Sequence, residues 1–139
     1  MQHFTSAIKL WSAILFSIAF VACQKPIEER IASDVQKWTE ANCPRTIDAL
    51  TRLDSMTYDI PSHTVRYHYA VSDIADSPLY WTQYDHEQAL HRAEIAKQLR
   101  LNTEIKELVA NKCTFQYVYH SASNGQKLYT LTISPADYQ

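Results

Sequence analysis

The strongest constraint on this chain lies near its beginning, where residues 10–22 form an apolar run without a charged side chain. The run reads LWSAILFSIAFVA and follows a short head that carries Lys9. As a helix it would extend only about 20 Å, which is well short of the ~30 Å hydrocarbon layer of a membrane. This layout is typical of an export signal, so we expect residues 1–22 to be removed and the fold to be built from the remainder.

The end of the run, FVAC at residues 20–23, resembles the bacterial lipobox, in which small residues precede a cysteine that is lipidated. We therefore predict a lipoprotein that is cut before Cys23, acylated there and held on a membrane by a tether of residues 23–26. Gln24 stands where an Asp would retain a lipoprotein in the inner membrane. The resemblance thus implies the cell envelope, at an outer membrane and facing the periplasm. The alternative is a plain secretory signal that is cleaved nearby.

The charge balance excludes one class of partner. The chain has 13 Lys and Arg against 15 Asp and Glu, and its formal net charge is −2. No run of basic residues could release counterions from a phosphate backbone, so we expect no nucleic-acid partner. With 46% hydrophobic and 20% charged residues, the composition is that of an ordinary folded protein, and residues 27–139 are predicted to form a single domain.

The cysteines suggest a cross-link. Lipidation of Cys23 leaves Cys43 and Cys113 in a compartment where thiols are oxidised, so we predict a disulfide between them. Closing a loop of about 70 residues would destabilise the unfolded chain by roughly 4 kcal/mol. The alternative is two buried free thiols.

Helical periodicity appears twice. Apolar residues recur at intervals of three and four over residues 27–40, which predicts an amphipathic helix. Residues 86–100 are rich in good helix formers, and an apolar stripe continues to Asn111. We expect one long helix here, or two helices with a break near residues 102–103.

Strand periodicity appears in two pairs. Residues 46–60 and 64–71 are predicted to be strands, because apolar and polar side chains alternate strictly in the second of them. Residues 115–120 and 129–133 alternate in the same way around Gly125, which is the only glycine in the chain and is expected at positive φ in a hairpin turn. The order predicts an α+β fold, with an N-terminal helix, a β-hairpin, a helical region and a C-terminal β-hairpin. We expect one antiparallel sheet with helices packed on one face.

Aromatic residues are crowded between the two pairs of strands. Residues 72–85 show no clear period and are predicted to form a loop that contains Tyr80, Trp81 and Tyr84. Exposed aromatic clusters often anchor protein partners, which makes these three residues the leading candidates for a binding site. The alternative is that their rings close one end of the core.

No catalytic, metal or cofactor site is predicted. His86 and His91 are five residues apart, whereas two zinc ligands on one helix face stand four apart. His63, His68 and His120 lack an acidic or cysteine partner at a fixed spacing, so solvated histidines are the simpler interpretation. A single glycine cannot build a phosphate-binding loop, and no serine elbow is present.

Several short motifs occur in a characteristic order. They are CP at residues 43–44, ID at 47–48, TRLDS at 51–55, YHY at 67–69, FQYVY at 115–119, NG at 124–125 and ISPADY at 133–138. This pattern resembles that of a group of small exported bacterial proteins of unknown function. The resemblance implies export and a shared fold over residues 43–138, and it carries no catalytic residue.

Three functions are compatible with these features. The first is a membrane-anchored, non-enzymatic module that engages an envelope protein, such as an envelope assembly, a pilotin-like client or an inhibited enzyme. The second is a small-ligand binder with a pocket between sheet and helices, lined by Tyr67, Tyr69, Tyr117 and Tyr119. The third is a hydrolase, which would need a buried, perturbed acid or histidine in a cleft.

Overall fold

The protein is described by a computed structural model over residues 25–139, so the predicted leader and Cys23 lie outside the described residues. One five-stranded sheet forms the centre of the fold. Its strands are β1 (Arg45–Thr46), β2 (Thr51–Asp59), β3 (Thr64–Val71), β4 (Thr114–Ser121) and β5 (Lys127–Ile133), and they lie side by side in chain order. The helices are α1 (Ile27–Asn42), α2 (Pro78–His86), α3 (Gln88–Leu101), α4 (Lys106–Ala110) and α5 (Pro135–Tyr138), with 3-10 turns at Asp73–Ala75 and Thr103–Ile105.

The predicted α+β class and order of elements are confirmed, but the sheet is mixed. β3 and β4 pair in parallel, from Thr64 opposite Thr114 to Val71 opposite Ser121. The other neighbouring strands are antiparallel. The expectation of a wholly antiparallel sheet is therefore wrong at its centre, because the helical connection returns the chain to the end of the sheet where β3 began.

The C-terminal hairpin turns as predicted. Gly125 has φ of +73°, in the region that favours glycine. Its amide donates to the carbonyl of Ser121 at 2.9 Å, and the Ser121 amide donates to the carbonyl of Gln126 at 2.8 Å. These two bonds close the turn between β4 and β5.

Helix side chains satisfy backbone groups at both edges of the sheet. The Thr39 hydroxyl of α1 accepts from the Met56 amide and donates to the Met56 carbonyl, each at 3.0 Å. On the other side, Arg92 of α3 donates to the carbonyl of Thr132 in β5 at 2.6 Å. Exposed strand edges invite pairing with other chains, so these contacts both position the helices and cover the edges.

The main core lies between the sheet and the helices. Val65, Phe115, Leu131 and Ile133 are completely buried on the helix side of β3, β4 and β5. The rest of the cluster comes from α1, α3, α5, β2 and the residue before β4, and it contains Ile31, Val35, Leu53, Met56, Ala96, Leu99, Cys113 and Tyr138. A second, smaller cluster contains Val71, Ala75 and Trp81.

The aromatic segment is not the loop that its sequence predicts. It forms a 3-10 turn followed by α2, which has Pro78 in its first turn. Proline fits the first turn of a helix because no intrahelical partner for its missing N–H is needed there. The Thr82 hydroxyl also donates to the Pro78 carbonyl at 3.0 Å.

The predicted disulfide between Cys43 and Cys113 is not formed, and both cysteines are free. Cys43 lies two residues before β1, and Cys113 lies immediately before β4. Two strands separate β1 from β4, which places them about 14 Å apart at ~4.8 Å per strand spacing. A disulfide requires Cα atoms within about 7 Å, and the strands that the two cysteines precede are about twice that far apart.

Candidate functional site

A groove lies between α1 and the segment 102–108, above β2 and β3. It encloses a cavity of about 280 Å³. We call it the α1–α4 groove. Its lining is mainly apolar and consists of Ile31, Asp34, Val35, Trp38, Met56, Tyr67, Asn102, Glu104, Ile105, Glu107 and Leu108.

One wall follows from the helical periodicity of α1. Ile31, Val35 and Trp38 are spaced by four and three residues, so they lie on the same face of the helix. Ile31 and Val35 are buried in the core. Trp38 packs against the edge of the core and stays only half-buried, which leaves part of the indole ring at the groove.

The opposite wall depends on the break after α3. The Asn102 side chain accepts a hydrogen bond from the Glu104 amide at 2.9 Å and caps the following 3-10 turn. This change of direction brings Ile105 and Leu108 to the groove. Both remain half-buried. Of the two interpretations of this helical region, one long helix or two with a break near residues 102–103, the structure shows the break, and the break shapes the site.

The rim of the groove is acidic. Asp34 stands on the α1 side, and Glu104 and Glu107 stand on the opposite side. All three are exposed. Arg30 lies 3.8 Å from the Glu107 carboxylate, with both side chains more than half exposed. The lining contains three carboxylates and no Lys, Arg or His.

A row of stacked tyrosines begins at the floor of the groove. Tyr67 stacks on Tyr117 and Tyr69 stacks on Tyr119, each with ring centroids 5.1 Å apart. The four side chains are half-buried. Burial nevertheless raises the pKa of all four, that of Tyr69 to about 12.

These are the four tyrosines that the small-ligand hypothesis names. The structure brings them together, but only Tyr67 lines the cavity. The remaining three continue the row away from it, towards α2. Trp81 extends the row, because its ring centroid lies 4.3 Å from that of Tyr119.

The predicted binding residues of the aromatic segment mostly serve the core. Trp81 is only 5% exposed, and its indole N–H donates to the Ala75 carbonyl at 2.8 Å. Tyr80 and Tyr84 are half-buried and pack around it, with ring centroids 5.1 and 5.2 Å from that of Trp81. These contacts match the alternative interpretation, in which the rings close one end of the core.

Four histidines of the described residues occupy three separate places. His63 contacts the Tyr58 hydroxyl through Nδ1, and its Nε2 donates to the Asn111 carbonyl at 2.6 Å and lies 3.5 Å from the Cys113 sulfur. His68 and His120 stack on the sheet face away from the main core, with ring centroids 6.2 Å apart. His91 stacks on Tyr84 at 3.7 Å. Within residues 25–139, no three His, Cys, Asp or Glu side chains are grouped in a way that could hold a metal ion.

The thiols show no sign of activation. Burial raises the pKa of Cys113 to about 11, and burial also raises the pKa of Cys43. A reactive cysteine needs a lowered pKa, because the thiolate is the nucleophile.

None of the helices formed by residues 25–139 is both long and apolar enough to cross a membrane.

The sequence profile of one protein family, described as a domain of unknown function (DUF8479), matches residues 26–129. The chain belongs to this family. The matched region contains every residue of the α1–α4 groove, so the groove lies within the family's domain. No curated protein matches the sequence at a significant level.

Two solved structures share the fold of this DUF8479 protein. A proposed secreted protein from Pseudomonas aeruginosa aligns with a TM-score of 0.61 and 12% identity, over 84% of this chain and 100% of its own. The pilotin of the type 2 secretion system from Vibrio vulnificus aligns with a TM-score of 0.51 and 9% identity, over 81% of this chain and 94% of its own. At these identities the likeness establishes the fold.

Sequence reasoning identified the tyrosines but missed the walls of the groove. Trp38, Ile105 and Leu108 come from two helical segments that are far apart in the chain. Each belongs to an apolar stripe that also supplies core residues. The only local signal was the break at Asn102, which ends α3 while the apolar stripe continues beyond it.

Proposed function

We propose that this protein is an exported, non-enzymatic module of the cell envelope that binds a segment of a partner protein in the α1–α4 groove. The observation that carries the proposal is the groove itself, with half-buried apolar side chains on both walls. Covering such a surface with a partner removes apolar side chains from water and so lowers the free energy of the complex.

The residues in the groove suit protein recognition. Trp38 offers an aromatic anchor, and tryptophan is among the residues that contribute most at protein interfaces. Ile105 and Leu108 face it from the other wall. A partner segment placed between them would bury its apolar side chains on both sides, which is the usual form of an energetically dominant interface centre.

The envelope setting rests on the leader and the lipobox-like end at Cys23. The fold shared with a proposed secreted protein and with a pilotin supports the same setting. We propose an outer-membrane position facing the periplasm, with Cys23 as the lipid anchor. The tether before α1 spans residues 23–26, so the domain would lie close to the membrane surface.

Affinity capture from the native envelope tests the binding function. The tagged wild-type protein is compared with a groove variant carrying Trp38→Ala and Leu108→Ala. The control carries Leu79→Ala and Leu90→Ala, because these leucines lie outside the groove and are 66% and 68% exposed, respectively. We expect a defined partner to be retained by the wild type and the control and lost from the groove variant. Equal recovery of every protein by all three forms would reject the groove as the binding surface.

Mass spectrometry of the protein isolated from its host tests the anchor. We expect the amino terminus to be Cys23 carrying acyl chains, and Cys23→Ser to release the protein from the membrane fraction. An unmodified amino terminus at another residue would reject lipidation while leaving the groove proposal intact.

A second candidate is the binding of a small apolar ligand. The cavity volume of about 280 Å³ favours it, since it approaches the lower limit of typical ligand sites. Native mass spectrometry of the protein isolated from its host separates the two functions. A bound small molecule that is lost with Trp38→Ala would favour this candidate over a protein partner.

A further inference from the structure

We propose that the partner segment is apolar and flanked by Lys or Arg, and that the carboxylates on the rim select it. The inference rests on the proposed function and defines the chemistry of the partner. It follows from the distribution of charge around the α1–α4 groove.

The residues that line the groove carry one sign of charge only. Asp34, Glu104 and Glu107 belong to the lining, and no basic side chain does. Arg30, which lies outside the lining, partly neutralises Glu107 from 3.8 Å, so the inference rests mainly on Asp34 and Glu104. Among residues 25–139, Asp34 and Glu104 form no ion pair, so their charge faces the solvent at the mouth of the groove.

The carboxylates stand on both sides of the apolar floor. Asp34 is on α1, whereas Glu104 is in the 3-10 turn on the opposite wall. A segment lying between the walls would therefore meet negative charge on each side. Basic residues next to its apolar anchors could reach these carboxylates while their aliphatic stems cover apolar surface.

The same charges would act against the commonest competitors. An apolar groove in a membrane compartment meets acyl chains with anionic head groups, such as fatty acids and phospholipids. Carboxylates at the mouth repel an anionic head group, and repulsion of wrong ligands contributes to specificity as much as attraction of the right one. A basic, apolar protein segment satisfies both conditions.

Selection from a displayed library of random 12-residue peptides tests the inference. The target is the full chain in lipid nanodiscs, and selected peptides are synthesised and tested for binding to wild type, to Trp38→Ala and to Ile105→Ala. We expect enriched peptides with two or more apolar residues flanked by Lys or Arg. Their affinity should fall in both groove variants, provided that each variant retains its melting temperature.

A charge variant then separates the inference from the proposed function. Asp34→Asn with Glu104→Gln should weaken the selected peptides about fivefold, since each exposed ion pair contributes modestly. The matched control, Glu40→Gln with Glu94→Gln, alters two exposed acids outside the groove and should change nothing. Binding to the wild type should also weaken as salt is raised.

The outcomes are distinguishable. Peptides that depend on Trp38 and Ile105 but lack basic residues, or that ignore the charge variant, would overturn the charge inference alone. Failure to select any peptide that depends on the groove residues would overturn the proposed function as well.

Discussion

The two tryptophans of the described domain mark two different ends of its helix-side layer. Trp81 is buried at 5% exposure, bonded to Ala75, and surrounded by tyrosines. Trp38 is half-buried at the wall of a groove that holds a cavity of about 280 Å³. The row of tyrosines from Tyr67 to Tyr119 connects the two ends. The α2 end is thus closed by its own aromatic rings, while apolar side chains at the groove end stay partly exposed.

The largest expected effect is a difference in stability between the two tryptophans. Trp81→Ala should lower the free energy of unfolding by about 3–5 kcal/mol, because it leaves a cavity in a closed cluster. Trp38→Ala should cost no more than about 2 kcal/mol, because part of the ring already contacts water. Chemical denaturation of both variants measures the difference. Equal losses would mean that the two ends are packed alike.

Two tyrosine hydroxyls should differ in the same way. The Tyr138 hydroxyl donates to the Cys113 carbonyl at 2.6 Å in the core, so Tyr138→Phe should cost about 1–3 kcal/mol. Tyr67 is half-buried and lines the groove, so Tyr67→Phe should leave stability nearly unchanged. Thermal or urea unfolding of the pair provides the test. A large loss for Tyr67→Phe would show that its hydroxyl stabilises the fold.

The hairpin beside the closed end should depend on its one glycine. Gly125→Val should destabilise the protein by about 1–2 kcal/mol, because φ of +73° is unfavourable for a branched side chain. A Cβ at this position meets no atom within 4 Å, so the cost is in the backbone and not in packing. Gly125→Asn is the control, since Asn tolerates this conformation better. The two melting temperatures should differ accordingly.

The smallest expected effect is a dependence of the closed end on pH. Hydrogen bonds from Ser121 and Ser123 lower the pKa of the Asp76 carboxyl below its ordinary value of 3.8. Because the pKa is lower in the folded state, the ionised carboxylate stabilises the folded protein. This contribution is complete above the pKa of the unfolded state, and it is lost as the pH falls through the pKa of the folded state. Asp76→Asn should flatten the pH dependence of stability below about pH 4. An identical acid titration for wild type and variant would contradict this role.

Local periodicity explains which parts of the fold could be predicted. Three features could be recognised from short stretches of sequence. They are the alternation at Val65, Tyr67 and Tyr69, the apolar stripe on α1 and the turn at Gly125. The parallel pairing of β3 with β4 depends on how a long helical connection crosses the sheet, and no short pattern records it. The predicted disulfide between Cys43 and Cys113 was wrong for the same reason, because a disulfide also requires that the fold bring the two thiols together.

The aromatic segment shows a different limit. Tyr84 follows Tyr80 by four residues and Trp81 by three, so the three share one face of α2, but this stripe is too short to stand out beside the turn-forming residues that precede it. The Ser77-Pro78 pair was the available sign of a helix start. The groove was harder to predict, since its walls and floor come from four separate segments and become neighbours only in the folded chain.

Site-specific photo-cross-linking in the living host tests the central claim most directly. A photoreactive residue is placed at Leu108 or Ile105 in the groove, and at Leu90 on the exposed side of α3 as the control. We predict a discrete cross-linked partner protein from both groove positions and none from Leu90. Cross-links that form equally at Leu90, or only there, would contradict the assignment of the α1–α4 groove as the binding site.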